Sequence, residues 1–229
     1  MKLVLLDIDG TLIKAPSSER RFAGHLRELG RIGMRENLAF AWFALRYFPM
    51  FGTGVLRKDK AYLAGISEEE IKELAHEFVT DRLAHSLFEP VCARVRHHLQ
   101  IGDEVWLLSG TLSYIATSLA EVLRLEHVRA TECVIKNGLL AARPPVVHPY
   151  GKAKVEIARE LCRERGFDFG QAIAYADSWA DRHLMEEVGT AVAVMPDKKL
   201  AELAIRRSWE ILEPGATIPE AAGGLETRQ

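Results

Sequence analysis

The stretch Lys2-Leu3-Val4-Leu5-Leu6-Asp7-Ile8-Asp9-Gly10-Thr11-Leu12 decides how this chain is read. Leu3 to Leu6 is an uninterrupted apolar run containing a β-branched residue, and it stops at two acids. A buried strand that ends in a polar loop explains this pattern. The run is too short, and too soon followed by Asp7 and Asp9, to be a secretory signal.

The pattern repeats further along. Val105 to Leu108 is apolar and stops at Ser109-Gly110-Thr111. Ala172 to Ala176 is apolar and stops at Asp177, and Ala191 to Val194 is a fourth such run. Helical patterns lie between them, over Val91–Leu99, Tyr114–Leu123, Lys152–Arg165 and Asp181–Val188. Strands alternating with helices predict an α/β fold with a parallel sheet. Arg129–Ile135 and Leu139–Ala142 flank Asn137-Gly138, a strong hairpin signal.

Residues from about Ser17 to His85 read as mostly helical. Ser67, with Glu70 three residues later, forms a capping box, and Ile71, Leu74, Ala75, Phe78 and Val79 follow at helical spacing. The expected organisation is a core of residues 1–13 and 86–213, a helical insert over 14–85, and a loose tail over 214–229. Within the insert, Leu38 to Leu45 is continuously apolar, and Tyr47, Phe48, Met50 and Phe51 extend it past Arg46 and Pro49. The uninterrupted run is far shorter than the roughly 20 residues of a spanning helix. The expectation is a helix buried in a small helical domain. The competing one is an apolar substrate mouth or a membrane-surface contact.

The chain has 229 residues, 48% hydrophobic and 27% charged, enough for a sizeable core and too apolar for a chain disordered throughout. Thirty basic and thirty-two acidic side chains leave a net charge of −2. A protein living off nucleic-acid phosphates would usually show a basic excess, so no nucleic-acid partner is expected. Three scattered cysteines (Cys92, Cys133, Cys162) argue against a disulfide framework or structural zinc, and fit a reducing, cytoplasmic setting. Composition leaves the oligomeric state open.

Three strand ends thus deliver polar groups: Asp7 and Asp9, then Ser109, then Asp177 with Asp181. In an open parallel sheet, ligands bind beyond the carboxyl ends of the strands, so these groups should meet. Carboxylates crowded together need a counter-charge. Mg²⁺ suits one or two of them plus a substrate phosphate, and Lys154 could add a second positive charge. Ser109 and the backbone N–H groups of Gly110 and Thr111, opening a helix, could hold phosphate oxygens. A carboxylate can attack phosphorus to give an aspartyl-phosphate, and a second can serve as general acid and then base. Asp7 and Asp9 fit that pair, since residues two apart on an extended chain point the same way. Gly10 would permit a sharp turn.

Taken singly, each residue has a plainer explanation. Ser109 could be a helix N-cap, Asp181 an acid complementing a helix dipole, and Lys152 a rival to Lys154. His97 and His98 read as surface or packing residues and not as a metal pair.

Together these residues resemble the haloacid dehalogenase-like (HAD) phosphatases. DIDGTL from Asp7 looks like their first motif, LLSGT ending at Thr111 like the second, Lys154 in GKAKVE like the third, and AYADSWAD ending at Asp181 like the fourth. The order is right, and the resemblance covers essentially the whole chain, closest to the phosphoserine-phosphatase-like subgroup. It implies a Rossmann-like core with an inserted helical cap of the C1 type, and Mg²⁺-dependent hydrolysis of a small phosphomonoester. It also implies roles. Asp7 would be nucleophile and metal ligand. Asp9 would be general acid and base, its backbone carbonyl a metal ligand. Ser109, Gly110 and Thr111 would hold the phosphoryl group, with Lys154 balancing charge. Asp177 would bind metal, and Asp181 would orient a metal-bound water or Lys154. Ala176, Ala180 and Met195 depart from the usual Gly, Asn and Asn. Glu19, Arg20 and Arg21 follow the first motif without aligning to the acid and arginine that grip serine in that subgroup. Transfer to an alcohol, action on a lipid-linked phosphate and ligand binding without turnover are the other readings.

Overall fold

The structure, a computed structural model, describes residues 1–214. The tail expected over 214–229 lies, apart from its first residue, outside the described residues. Six strands, β1 (Leu3–Leu6), β2 (Glu104–Leu112), β3 (His127–Thr131), β6 (Ile173–Ala176), β7 (Thr190–Val194) and β8 (Glu210–Leu212), form one sheet in the order β3-β2-β1-β6-β7-β8. All its pairings are parallel. The α/β fold with a central parallel sheet is therefore as the strand–helix alternation implies.

Alternation along each strand builds two cores. Val4, Leu6, Val105, Leu107, Tyr175, Val192 and Val194 pack on one side. Leu3, Leu5, Trp106, Leu108, Ala174, Ala176, Ala191 and Ala193 pack on the other, beneath helices α7 (Lys152–Arg165), α8 (Arg182–Glu187) and α9 (Lys198–Arg207). The alanines there let those helices approach the sheet closely. The first core is covered by α5 (Glu89–Gln100) and α6 (Ser113–Leu123), and runs on into the insert between β1 and β2. There α1 (Ser18–Glu28) contributes Phe22 and Leu26, and α4 (Glu68–Phe78) contributes Ile71, Ala75 and Phe78. The capping box at Ser67 forms in half, with Ser67 Oγ accepting from the Glu70 N–H. These packing contacts do not separate insert from sheet, because one apolar cluster spans both.

The strand expected to begin at Arg129 and end at Ile135 is two elements. β3 joins the main sheet, while β4 (Ile135–Lys136) and β5 (Leu139–Leu140) make a separate hairpin around Asn137-Gly138. Both turn residues have positive φ, as that tight turn demands. His98 is buried between Asp103 and the Tyr175 hydroxyl, with 2.9 Å contacts on both ring nitrogens, and His97 is exposed.

The apolar segment is where the structure differs most. It forms α2 (Met34–Phe51), which packs on α3 (Val55–Lys58) and the turn Ala61–Leu63. It is not the buried helix expected. Only Phe43 is buried, and Met34, Leu38, Trp42, Leu45, Phe48 and Met50 are exposed. Hydrophobicity counts apolar residues, but burial needs a partner on each side. This helix is apolar around most of its circumference and meets protein on one side.

Candidate active site

The sheet order fixes the site. The chain runs from β1 outward to β3, then returns to place β6 on the other side of β1. The crevice at such a reversal lies beyond the carboxyl ends of β1 and β6. Asp7 follows β1 and Asp177 follows β6, and the Asp7 N–H donates to the Tyr175 carbonyl at 3.1 Å. Asp181 ends the short turn before α8, and Lys154 sits in the first turn of α7.

Asp7, Asp177 and Asp181 offer carboxylate oxygens within 4.8 Å of one another. Lys154 Nζ donates to Asp7 Oδ1 at 2.7 Å and pairs with Asp181 Oδ1 at 2.9 Å. The rival Lys152 does not take that place. Burial works to lower the lysine's pKa, but the carboxylates of Asp181 and Asp7 outweigh it and hold the ammonium above its ordinary value. Burial raises the pKa of Asp181, opposed by Lys154. Asp177 is pushed up to about 8, first by burial and then by the charges of Asp7 and Asp181. One ammonium therefore does not balance the cluster. Three hard oxygen donors with excess negative charge fit a small dication such as Mg²⁺. Asp181 is the N-cap residue of α8 without a side-chain capping hydrogen bond, and its carboxylate pairs with Lys154.

Gly10 does more than turn the chain. Its φ is +90°, and a Cβ built on it would lie 1.9 Å from Asp177 Oδ2. The glycine is required so that the β6 carboxylate can press against the β1 loop.

Asp9 lines the same cavity as Asp7, and its carboxylate is not among the three acids of the cluster. β1 ends at Leu6, and further on the Leu12 and Ile13 N–H groups close a turn on the Ile8 carbonyl. Asp9 Oδ1 accepts from the Ser18 N–H at 2.6 Å, and Oδ2 accepts from Thr111 Oγ1 at 2.7 Å. Burial raises its pKa, against the pull of those two hydrogen bonds.

The second motif also differs in detail. β2 continues through Leu112, so Gly110 and Thr111 lie on a strand and do not open a helix. Thr111 is buried, and its N–H donates to Ser109 Oγ at 3.3 Å. Ser109 Oγ in turn donates to Thr111 Oγ1 at 3.2 Å, making a relay from Ser109 through Thr111 to Asp9. Leu112, and not Ser109, is the N-cap of α6.

All eight expected residues (Asp7, Asp9, Ser109, Gly110, Thr111, Lys154, Asp177 and Asp181) line one cavity of about 880 Å³. Residues that the motifs did not identify complete it. Glu19, from α1, receives Lys60 Nζ at 2.6 Å on both oxygens and the Tyr62 hydroxyl at 2.8 Å. Arg20 and Arg27 line the same wall, with Phe40 and Leu56. Arg21 turns away, its guanidinium donating to the Lys14 and Pro16 carbonyls. His148 and Tyr150 line the opposite side, His148 Nδ1 lying 2.9 Å from Thr131 Oγ1. Nothing local marks these residues, since only folding brings 19, 60, 62 and 148 to one cavity.

Fold and site together define a hydrolase built around an acid–lysine cluster at a sheet's switch point. The sequence pattern of the haloacid dehalogenase-like hydrolases matches residues 4–186, and the chain belongs to that family. The chain is 29% identical to "Phosphoserine phosphatase SerB1" of Mycobacterium tuberculosis over 237 residues, which covers 95% of this chain and 76% of that one. It is 24% identical to a histidinol-phosphatase of Neisseria meningitidis, covering 92% and 97% of the two chains. A Bordetella pertussis protein of unknown function has the same fold, with TM-score 0.77 and 26% identity over 92% of this chain and 97% of that one.

Proposed function

We propose that this chain is a Mg²⁺-dependent phosphoric monoester hydrolase that works through an aspartyl-phosphate on Asp7. The observation that carries it is the cluster of Asp7, Asp177 and Asp181 around Lys154. Phosphatases among the relatives support the reaction class.

Asp7, Asp177 and Asp181 would hold the metal, with the Asp9 carbonyl. Bound there, Mg²⁺ supplies positive charge to neutralise phosphate oxygens. Lys154 orients Asp7 and adds positive charge beside the transferring group. Asp7 attacks phosphorus and the alcohol leaves. Asp9 gives the leaving oxygen a proton, then takes one from the water that cleaves the intermediate. Its raised pKa suits an acid that carries a proton. Release from the Ser18 N–H frees Oδ1 for this exchange, which ties proton transfer to the position of α1. Ser109 steadies the phosphoryl oxygens, and the insert over 14–85 acts as a cap that excludes water.

The insert wall also bears on the leaving group. Glu19 is already matched by Lys60, so among the described residues the wall's unmatched charges are the guanidiniums of Arg20 and Arg27. That favours a leaving group with negative charge over a cationic one such as histidinol.

The test is phosphate release from phosphoserine, sugar phosphates, glycerol phosphate, histidinol phosphate and lysophosphatidate, with Mg²⁺ and with chelator. Mg²⁺-dependent release is expected, and Asp7→Asn should cut it by at least about 10³-fold. Release that survives in folded Asp7→Asn would rule the mechanism out. Histidinol phosphate as best substrate would overturn the leaving-group assignment alone.

A further inference from the structure

The outer face of α2 is the largest feature that catalysis leaves unused. At 100° per residue, Met34, Leu38, Ala41, Trp42, Leu45, Phe48 and Pro49 fall within one arc of about 120°. Buried Phe43 lies on the opposite side. The arc is exposed along its length, at 81% for Met34, 65% for Leu38 and Trp42, 69% for Leu45 and 55% for Phe48. Single exposed apolar residues are ordinary, but five large ones in register over four turns form a patch that water should not be left to cover.

Charge says what covers it. No acidic residue occurs from Asn37 to Lys58, while Arg46, Arg57 and Lys58 all lie in that span. Arg35 and Arg46 are exposed and fall at one edge of the arc. Elsewhere acids and bases are nearly balanced, so this is a local exclusion of negative charge. An apolar stripe bearing Trp and Phe, edged by arginine and free of acids, is the make-up of a helix that lies in the interface of an anionic bilayer. The helix does not span it: no helix among the described residues is long and apolar enough to cross a membrane. Pro49 inside the last turn fits a helix lying on a surface, where a freed carbonyl can meet water. The inner side of the same helix sends Phe40 to the wall of the catalytic cavity. A docked α2 would therefore place an apolar surface next to the site.

We propose that α2 docks this protein on an anionic lipid surface, with Trp42, Leu45 and Phe48 in the apolar layer and Arg35 and Arg46 among the headgroups. Docking needs no turnover, so it can succeed or fail apart from the phosphatase reading.

The test is sedimentation of the full chain with vesicles of phosphatidylcholine and phosphatidylglycerol in equal parts, and with phosphatidylcholine alone. Binding to the mixed vesicles is expected, weaker by about tenfold or more on phosphatidylcholine, with a blue shift in tryptophan emission. Trp42→Glu and Leu45→Glu should each weaken binding by about tenfold or more. Both positions are exposed, so folding should survive, and circular dichroism would check it. Ile205→Glu, at an exposed apolar residue on α9, is the control and should change nothing. No sedimentation with either vesicle would overturn the proposal. So would equal loss in Ile205→Glu. A dimer in solution that Trp42→Glu splits, without vesicle binding, would assign the face to a second copy of this chain instead.

Discussion

Gly10 shows how one missing methyl group sets a site. Gly10→Ala would put Cβ into the Asp177 carboxylate and strain a backbone with φ of +90°. We expect about 1–3 kcal/mol of lost stability, and a higher Mg²⁺ requirement, seen by thermal denaturation and by metal titration of phosphate release. Asp59 is a second telling residue. It is buried, Oδ1 accepts from the Ala61 N–H at 2.9 Å, and Oδ2 has no donor among the described residues. Burial pushes its pKa from 3.8 up to about 7. The folded chain therefore keeps this proton over a range where the unfolded chain has lost it. Stability from this group is present below the unfolded value and is lost as pH rises toward 7, by up to about 1.4 kcal/mol per pH unit. Asp59→Asn should flatten that slope and gain on the wild type as pH rises, measured by urea unfolding at pH 5 and pH 8. Met195 departs from the family pattern where the backbone would favour the usual asparagine. Its φ is 41°, a conformation that asparagine tolerates better than methionine.

At the scale of elements, the β6–α8 loop is held by a residue from another loop. Asp197 Oδ1 accepts from the Leu200 N–H and caps α9, while Oδ2 accepts from the Trp179 N–H at 2.7 Å. The Asp197 N–H also donates to the Asp177 carbonyl at 2.8 Å. Asp197→Ala should cost about 1 kcal/mol as a lost cap. It should also loosen the loop that carries Asp177, so that half-maximal phosphate release needs more Mg²⁺. A stability loss with an unchanged Mg²⁺ requirement would mean that the cap matters and the brace does not. The insert is similarly tied to the sheet, through Ser18 and Thr111 on Asp9.

At the scale of the whole molecule, a metal held by the proposed site of buried carboxylates would couple its binding to folding. Adding Mg²⁺ at about a hundred times its Kd should contribute about 2.7 kcal/mol, or roughly 5–10 °C in Tm for a chain this size. Asp177→Asn should abolish most of that shift. A Tm indifferent to Mg²⁺ and chelator would count against the metal site, whatever the activity.

The sequence by itself determined four of the six sheet strands, β1, β2, β6 and β7, and the polar residues that follow three of them. Strand ends are local: an apolar run stops, and the next residues must sit at the sheet's edge. Asp7, Asp177 and Asp181 were legible for that reason, and Lys154 through the family resemblance of the segment around it. What lay beyond local pattern was partnership. Asp9 is held by Ser18 and Thr111, partners that no spacing in the sequence supplies. Glu19, Lys60, Tyr62 and His148 meet only through folding, so spacing could not join them. The outer face of α2 looked like core because hydropathy records what a side chain prefers. Only the tertiary structure decides which apolar faces find a neighbour, since burial depends on contacts between segments far apart in the chain.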